Sequence, residues 1–61
     1  MINLRTARVK KGLTQRQLAD MIEVRRQTLS NIEVGVARPS IPTAKKLGEV
    51  LELDWADFFK E

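Results

Sequence analysis

The sequence predicts an all-α fold, a compact five-helix bundle that fills residues 1–61 as a single domain. Apolar residues recur three and four apart along most of the chain, the spacing of a helix buried on one face. No stretch alternates apolar and polar residues as a half-buried strand would. Capping residues and stop signals punctuate the pattern at short intervals. Sixty-one residues allow one small core, and a hydrophobic content of 43% is enough to build it. The chain has no Cys and no His, so neither disulfides nor the usual zinc ligands are available. Helix packing, with dimerisation in support, is left to stabilise the domain.

The elements follow in order. The first helix is expected from Asn3 to Lys11, with Leu4, Ala7 and Val9 inward, Lys10 and Lys11 at the negative end of the dipole, and Gly12 as its stop. The second starts after Thr14, an N-cap with Gln17 three residues on as its capping-box partner. It buries Leu18, Ala19 and Ile22 and carries Met21 at the edge of that stripe. Glu23 and Val24 form a turn, with Val24 plugging the angle. The third helix covers about Arg25 to Val34, with Thr28, Leu29 and Ile32 inward, and Gly35 ends it. Val36 to Pro39 is a loop, because proline disfavours a helical residue before it. Ser40 caps the fourth helix, and Pro42 sits in its first turn, where a missing N–H costs little. Its stripe is Ile41, Ala44, Leu47, Val50 and Leu51. Asp54 caps a last short helix through Phe59, with Asp57 as box partner.

Composition narrows the function. Ser, Thr and Lys nucleophiles remain, but no general base that titrates near neutral pH is present and no glycine-rich phosphate loop occurs, so the chain is expected not to be an enzyme. Asp54 and Asp57 are read as helix N-terminal charges. No cofactor, metal or small-molecule site is expected. No run approaches the ~20 apolar residues of a membrane span, and the N-terminus lacks the apolar core of a signal peptide. A cytoplasmic chain is therefore expected. The net charge of +3 is unevenly spread. Residues 1–38 hold eight Lys/Arg against three Asp/Glu, net +5, and residues 39–61 hold three against five, net −2. This distribution suits a polyanion on one side and another surface opposite.

Within Leu13–Pro39, two short helical patterns flank a turn too brief to let them lie antiparallel. The second exposes Arg25, Arg26, Gln27, Thr28, Ser30 and Asn31, groups that match base edges and phosphates and would enter a DNA major groove. The matching residues are Arg8, Gly12-Leu13-Thr14-Gln15, Leu18-Ala19, Val24, Arg26-Gln27-Thr28-Leu29-Ser30, Ile32-Glu33, Gly35, Pro39-Ser40, Leu47 and Leu51. On them the chain resembles the Cro/C1-type (XRE, phage-repressor-like) helix-turn-helix family, with the motif at about residues 14–34. The resemblance covers nearly the whole chain and implies a lambda-repressor-like DNA-binding domain. Two positions depart from the family pattern: Glu23 stands where a turn glycine is usual, and Arg25 where a Ser or Thr N-cap is usual.

Carried over by position, the resemblance implies that the third helix reads DNA and the second lies across the backbone. Arg26, Gln27 and Asn31 take base-contact positions. Arg26 suits guanine, and Gln27 or Asn31 suits adenine. Thr28 is open between the helix interface and a thymine methyl. Gln15 contacts a phosphate and braces the third helix, and Arg25 and Arg38 are backbone ligands. Ser30 is a weaker backbone candidate or simply exposed, and Lys45 and Lys46 are read as solvated. Arg8 and Glu33 form a largely buried structural ion pair. The implied partner is double-stranded DNA bound by a homodimer, with Trp55, Leu53 and Phe59 as its interface. Phe58 and either Leu53 or Phe59 are needed for the core; Trp55 is either an exposed anchor or a core cover. The function implied is a sequence-specific transcription regulator, a repressor on a near-palindromic operator. The alternative is a protein-interaction module, such as an antitoxin-like or anti-repressor partner, using the Trp55 surface.

Overall fold

The computed structural model describes residues 3–59, so the two outermost residues at each end of the expected 1–61 domain lie outside the described residues. It is all-helical, with helices α1 (Leu4–Lys10), α2 (Gln15–Met21), α3 (Arg26–Glu33) and α4 (Ile41–Leu51) and a 3-10 turn at Trp55–Phe59. The fifth helix of the sequence reading is therefore a 3-10 turn. The Asp54 carboxylate accepts from the N–H of Ala56, only two residues on, which tightens the segment into that geometry.

The N-termini follow their capping residues. Asn3 accepts from Thr6 N–H and starts α1; Thr14 and Gln17 form the full capping box of α2; Ser40 accepts from Thr43 N–H at α4. At α3 the N-cap is Arg25, extended at φ −71° and ψ 148°, and its side chain makes no cap hydrogen bond.

All four α-helices end in the same way. A residue with positive φ follows each (Gly12, Glu23, Gly35 and Glu52), and the N–H of the next residue reaches back five positions. These bonds are Leu13 to Arg8 (3.2 Å), Val24 to Ala19 (3.0 Å), Val36 to Asn31 (2.9 Å) and Leu53 to Gly48 (2.9 Å). This is the Schellman closure, which satisfies otherwise orphaned carbonyls and turns the chain sharply. Leu13, Val24 and Leu53 use the turn to fold back onto the core. Glycine adopts the left-handed conformation freely, whereas each glutamate gives up ~1 kcal/mol or more there. Each glutamate also meets a lysine distant in sequence: Glu23 pairs with Lys46 at 3.4 Å and Glu52 with Lys11. Lys46 is thus engaged with the turn between α2 and α3.

The Lys11 hydrogen bond, then its charge, hold the Glu52 carboxyl below its ordinary value of 4.5. A carboxyl depressed in the folded state adds stability above its unfolded pKa and loses it as pH falls through the folded value. Urea midpoints measured downward from pH 6 should therefore fall more steeply below about pH 4.5 for wild type than for Glu52→Gln.

The core joins Leu4 of α1, Leu18 and Ala19 of α2, Ile22 just after it, Leu29 of α3, and Leu47 and Leu51 of α4. Leu53 and Phe58 pack against it, so the second core residue of the C-terminal segment is Leu53 rather than Phe59. Three inward assignments fail. Val9 is 58% exposed, because Leu4 and Ala7 set the buried side of α1 and Val9 lies about 200° round from Ala7. Thr28 is exposed, since Leu29 takes the inward position and its neighbour is turned about 100° away. Ile41 keeps the stripe spacing but stands in the first turn of α4, past the core cluster, and remains exposed.

Candidate nucleic-acid interface

α2 and α3 pack mainly on each other, and the turn between them is closed by Val24 N–H on Ala19 O at 3.0 Å. Glu23 at φ 61° makes that turn without the usual glycine. With Leu29 fully buried and Ile32 packed on the core, the opposite side of α3 is left to solvent. Arg25, Arg26, Gln27 and Thr28, at the N-terminal end of α3, are exposed, while Ser30 and Asn31 are half-buried. The side chains closest to the N-terminus of α3 are thus the ones available to a groove.

Two of the candidate readers touch each other. Gln27 Nε2 donates to Asn31 Oδ1 at 3.0 Å, a contact between residues one helical turn apart. The backbone carbonyl of Asn31 in turn accepts from Val36 N–H at 2.9 Å and Ala37 N–H at 3.1 Å. Those bonds fold the loop that leads to exposed Arg38 against the end of α3. Pro39, the next residue, is buried and anchors the loop's far end.

The orientation of α3 is fixed from behind. Arg8 Nε donates to Glu33 Oε2 at 2.9 Å, and Arg8 Nη1 donates to Leu13 O at 2.7 Å. Gln15 Nε2 donates to Glu33 Oε1 at 3.2 Å. Glu33 thus ties α1, α2 and α3 together, with its side chain only 3% exposed. Gln15 braces α3 from the start of α2 and is half-buried in doing so.

Arg5 and Arg16 add positive charge that the sequence reading missed. Both are exposed and, with Arg26, they line a depression between α1, the start of α2 and α3 around the Arg8–Glu33 pair. Arg16 directly follows Gln15, and Arg5 lies three residues before Arg8. Those spacings were the available signals.

The C-terminal segment carries an aromatic surface. Trp55 and Phe59 meet edge to face, centroids 6.2 Å apart at 77°, and Lys45 Nζ lies 5.3 Å from the Trp55 ring centroid. Lys45 is thus engaged with an aromatic face rather than merely solvated. Trp55 is half-buried, between the anchor and core-cover alternatives, with its Cβ against Gly48. Leu53 is also half-exposed, at the inner edge of this surface.

Comparison with known proteins agrees with this arrangement. The helix-turn-helix family matches residues 4–58. YqaF of Bacillus subtilis, named an uncharacterised HTH-type transcriptional regulator, is 38% identical over 58 residues, which cover 95% of this chain and 76% of that protein. An Archaeoglobus fulgidus protein of the same description is 38% identical over 56 residues, 92% of this chain and 80% of its own. YonR, an SPbeta prophage-derived regulator of Bacillus subtilis, is 35% identical over 48 residues, 79% of this chain but 44% of YonR. The chain belongs to the Cro/C1-type helix-turn-helix family.

Proposed function

We propose that the protein is a sequence-specific DNA-binding transcription regulator that represses by occupying a near-palindromic operator as a homodimer. The observation that carries the reading is the exposed polar N-terminal half of α3, held by the largely buried Arg8–Glu33 pair with α2 braced behind it. The relatives' names, transcriptional regulators, point the same way. Arg26, Gln27, Asn31 and Thr28 face base edges; Gln15, Arg25, Ser30 and Arg38, joined by Arg5 and Arg16, face phosphates. The protein works in the cytoplasm, on the nucleoid. No helix among the described residues is long and apolar enough to cross a membrane.

Selection of duplexes from a random pool, followed by titration against salt, tests this. Enrichment of inverted half-sites about 10 base pairs apart is expected, with affinity falling steeply as salt rises. No enriched duplex, together with capture of a protein partner, would favour the interaction-module reading instead.

One helix-turn-helix reads only a few base pairs, and pairing two of them doubles the site. Trp55 and Phe59, with Leu53 at their edge, form the proposed interface, where an aromatic cluster serves as anchor. Sedimentation equilibrium should show twice the chain mass for wild type and the monomer mass for Trp55→Ala. Equal masses for the two would remove the interface from this surface.

Arg25 exchanges helix capping for charge. Arg25→Ser should add about 1 kcal/mol of stability in thermal or urea unfolding, because serine caps α3. It should also weaken DNA binding, because a phosphate ligand is lost. Tighter binding by the serine variant would show that Arg25 does not face the backbone.

A further inference from the structure

We infer that Asn31 is a positioning residue that fixes the Gln27 amide so that it reads adenine and rejects guanine. The inference rests on the DNA-reading role proposed above and decides between Gln27 and Asn31, both of which the resemblance matches to adenine. A glutamine amide carries one acceptor oxygen and two N–H donors, and it can turn over about its last bond. Turned one way it presents a donor and an acceptor side by side, the complement of adenine N7 and N6. With both donors forward it suits guanine, which presents two acceptors, N7 and O6.

On α3 the contact with Asn31 favours the first of these arrangements. One Gln27 Nε2 hydrogen is committed to Asn31 Oδ1 at 3.0 Å. The second hydrogen and Oε1 remain for the groove, one donor and one acceptor. Against guanine, Oε1 would face O6, lone pair to lone pair. Asn31 is well placed to impose this: it is half-buried, and its own carbonyl is held by Val36 and Ala37 N–H where α3 turns into the loop. With its side-chain oxygen turned to Gln27, Asn31 keeps only donors for DNA. It is then unsuited to pair with adenine by itself.

The test compares duplexes that differ only at the base pair that Gln27→Ala no longer distinguishes, starting from a selected duplex. Competition titrations give the ratio of affinities for adenine and guanine at that pair. Wild type should prefer adenine by about tenfold or more. Asn31→Asp, which can only accept, should keep that ratio even though its negative charge weakens binding to every duplex. Asn31→Ala should bring the ratio close to one while circular dichroism shows the helices intact. A purely structural role for Asn31 would change affinity without changing the ratio. A wild-type preference for guanine, no base pair sensitive to Gln27→Ala, or an unchanged ratio in Asn31→Ala would overturn the inference alone. Failure of wild type to select any duplex would overturn the DNA-binding proposal beneath it.

Discussion

Arg8→Ala is expected to remove about half or more of the protein's stability and leave it only marginally folded at room temperature. Stability of roughly 0.05–0.15 kcal/mol per residue gives a chain this short only about 3–9 kcal/mol. Removing one partner of a buried ion pair typically costs about 3–5 kcal/mol, because the remaining charge stays desolvated. Glu33, at 3% exposure, is that remaining charge. Arg8 also donates to Leu13 O, so the same substitution takes away a donor at the end of α1. The diagnostic companion is Arg8→Met with Glu33→Leu, which removes both charges and keeps the volume. That double variant should recover most of the lost stability, since apolar replacements of buried pairs are often neutral. Urea unfolding followed by circular dichroism checks both. A single variant as stable as wild type would mean that the pair does not hold α3.

The second large effect is expected at Gly48→Ala. An added Cβ would stand 2.7 Å from Leu53 O and 3.2 Å from Trp55 Cβ. The first of these is a backbone atom, and it cannot move alone, because Leu53 N–H closes the end of α4 on Gly48 O. The Trp55–Phe59 turn must therefore be pushed off α4, at about 1–3 kcal/mol for overpacking, partly offset by alanine's better helix propensity. Trp55 is the only tryptophan, so its fluorescence reports the event directly. A lower unfolding midpoint and an emission maximum shifted to longer wavelength in the native state are expected. If Trp55 and Phe59 form the dimer interface, the variant should also dissociate at higher concentration than wild type. An unshifted spectrum with wild-type stability would show that α4 and the turn are not so closely apposed.

The helices α2 and α4 were legible at their starts because Thr14 and Ser40 cap them, whereas α3, with Arg25 at its N-cap, was legible from the spacing of its apolar residues. The two glycine stops were legible because Gly12 and Gly35 are the residues that best tolerate positive φ. Glu23 and Glu52 make the same turn but carry no such mark. Glu23 was singled out by the resemblance, as standing where a turn glycine is usual; at Glu52 the sole signal was the apolar Leu53 that follows, which reads equally as ordinary core. Missing the Glu52 turn made the last segment look like a regular helix after Asp54. The Arg8–Glu33 pair spans twenty-five positions. No periodicity connects residues so far apart, and only resemblance to a family suggested it. For the same reason the convergence of Arg5 and Arg16 on Arg26 went unseen, as did the engagements of Lys45 and Lys46. Contacts between helix ends arise from packing and leave no local pattern. The polar face of α3, by contrast, is local; Thr28, which the sequence also offered as an inward residue, faces out, and Ser30 and Asn31 are half-buried rather than exposed.

The central claim is that the exposed face of α3 reads bases, and one comparison tests it most directly. Affinities of wild type and Gln27→Ala are measured for a selected duplex and for a scrambled duplex of equal length at the same salt. Gln27→Ala should bind the selected duplex about tenfold or more weakly, in line with the cost of one lost bidentate base contact. Its affinity for the scrambled duplex should be unchanged, because phosphate contacts carry that binding. An equal loss on both duplexes, or none on either, would contradict base reading by α3.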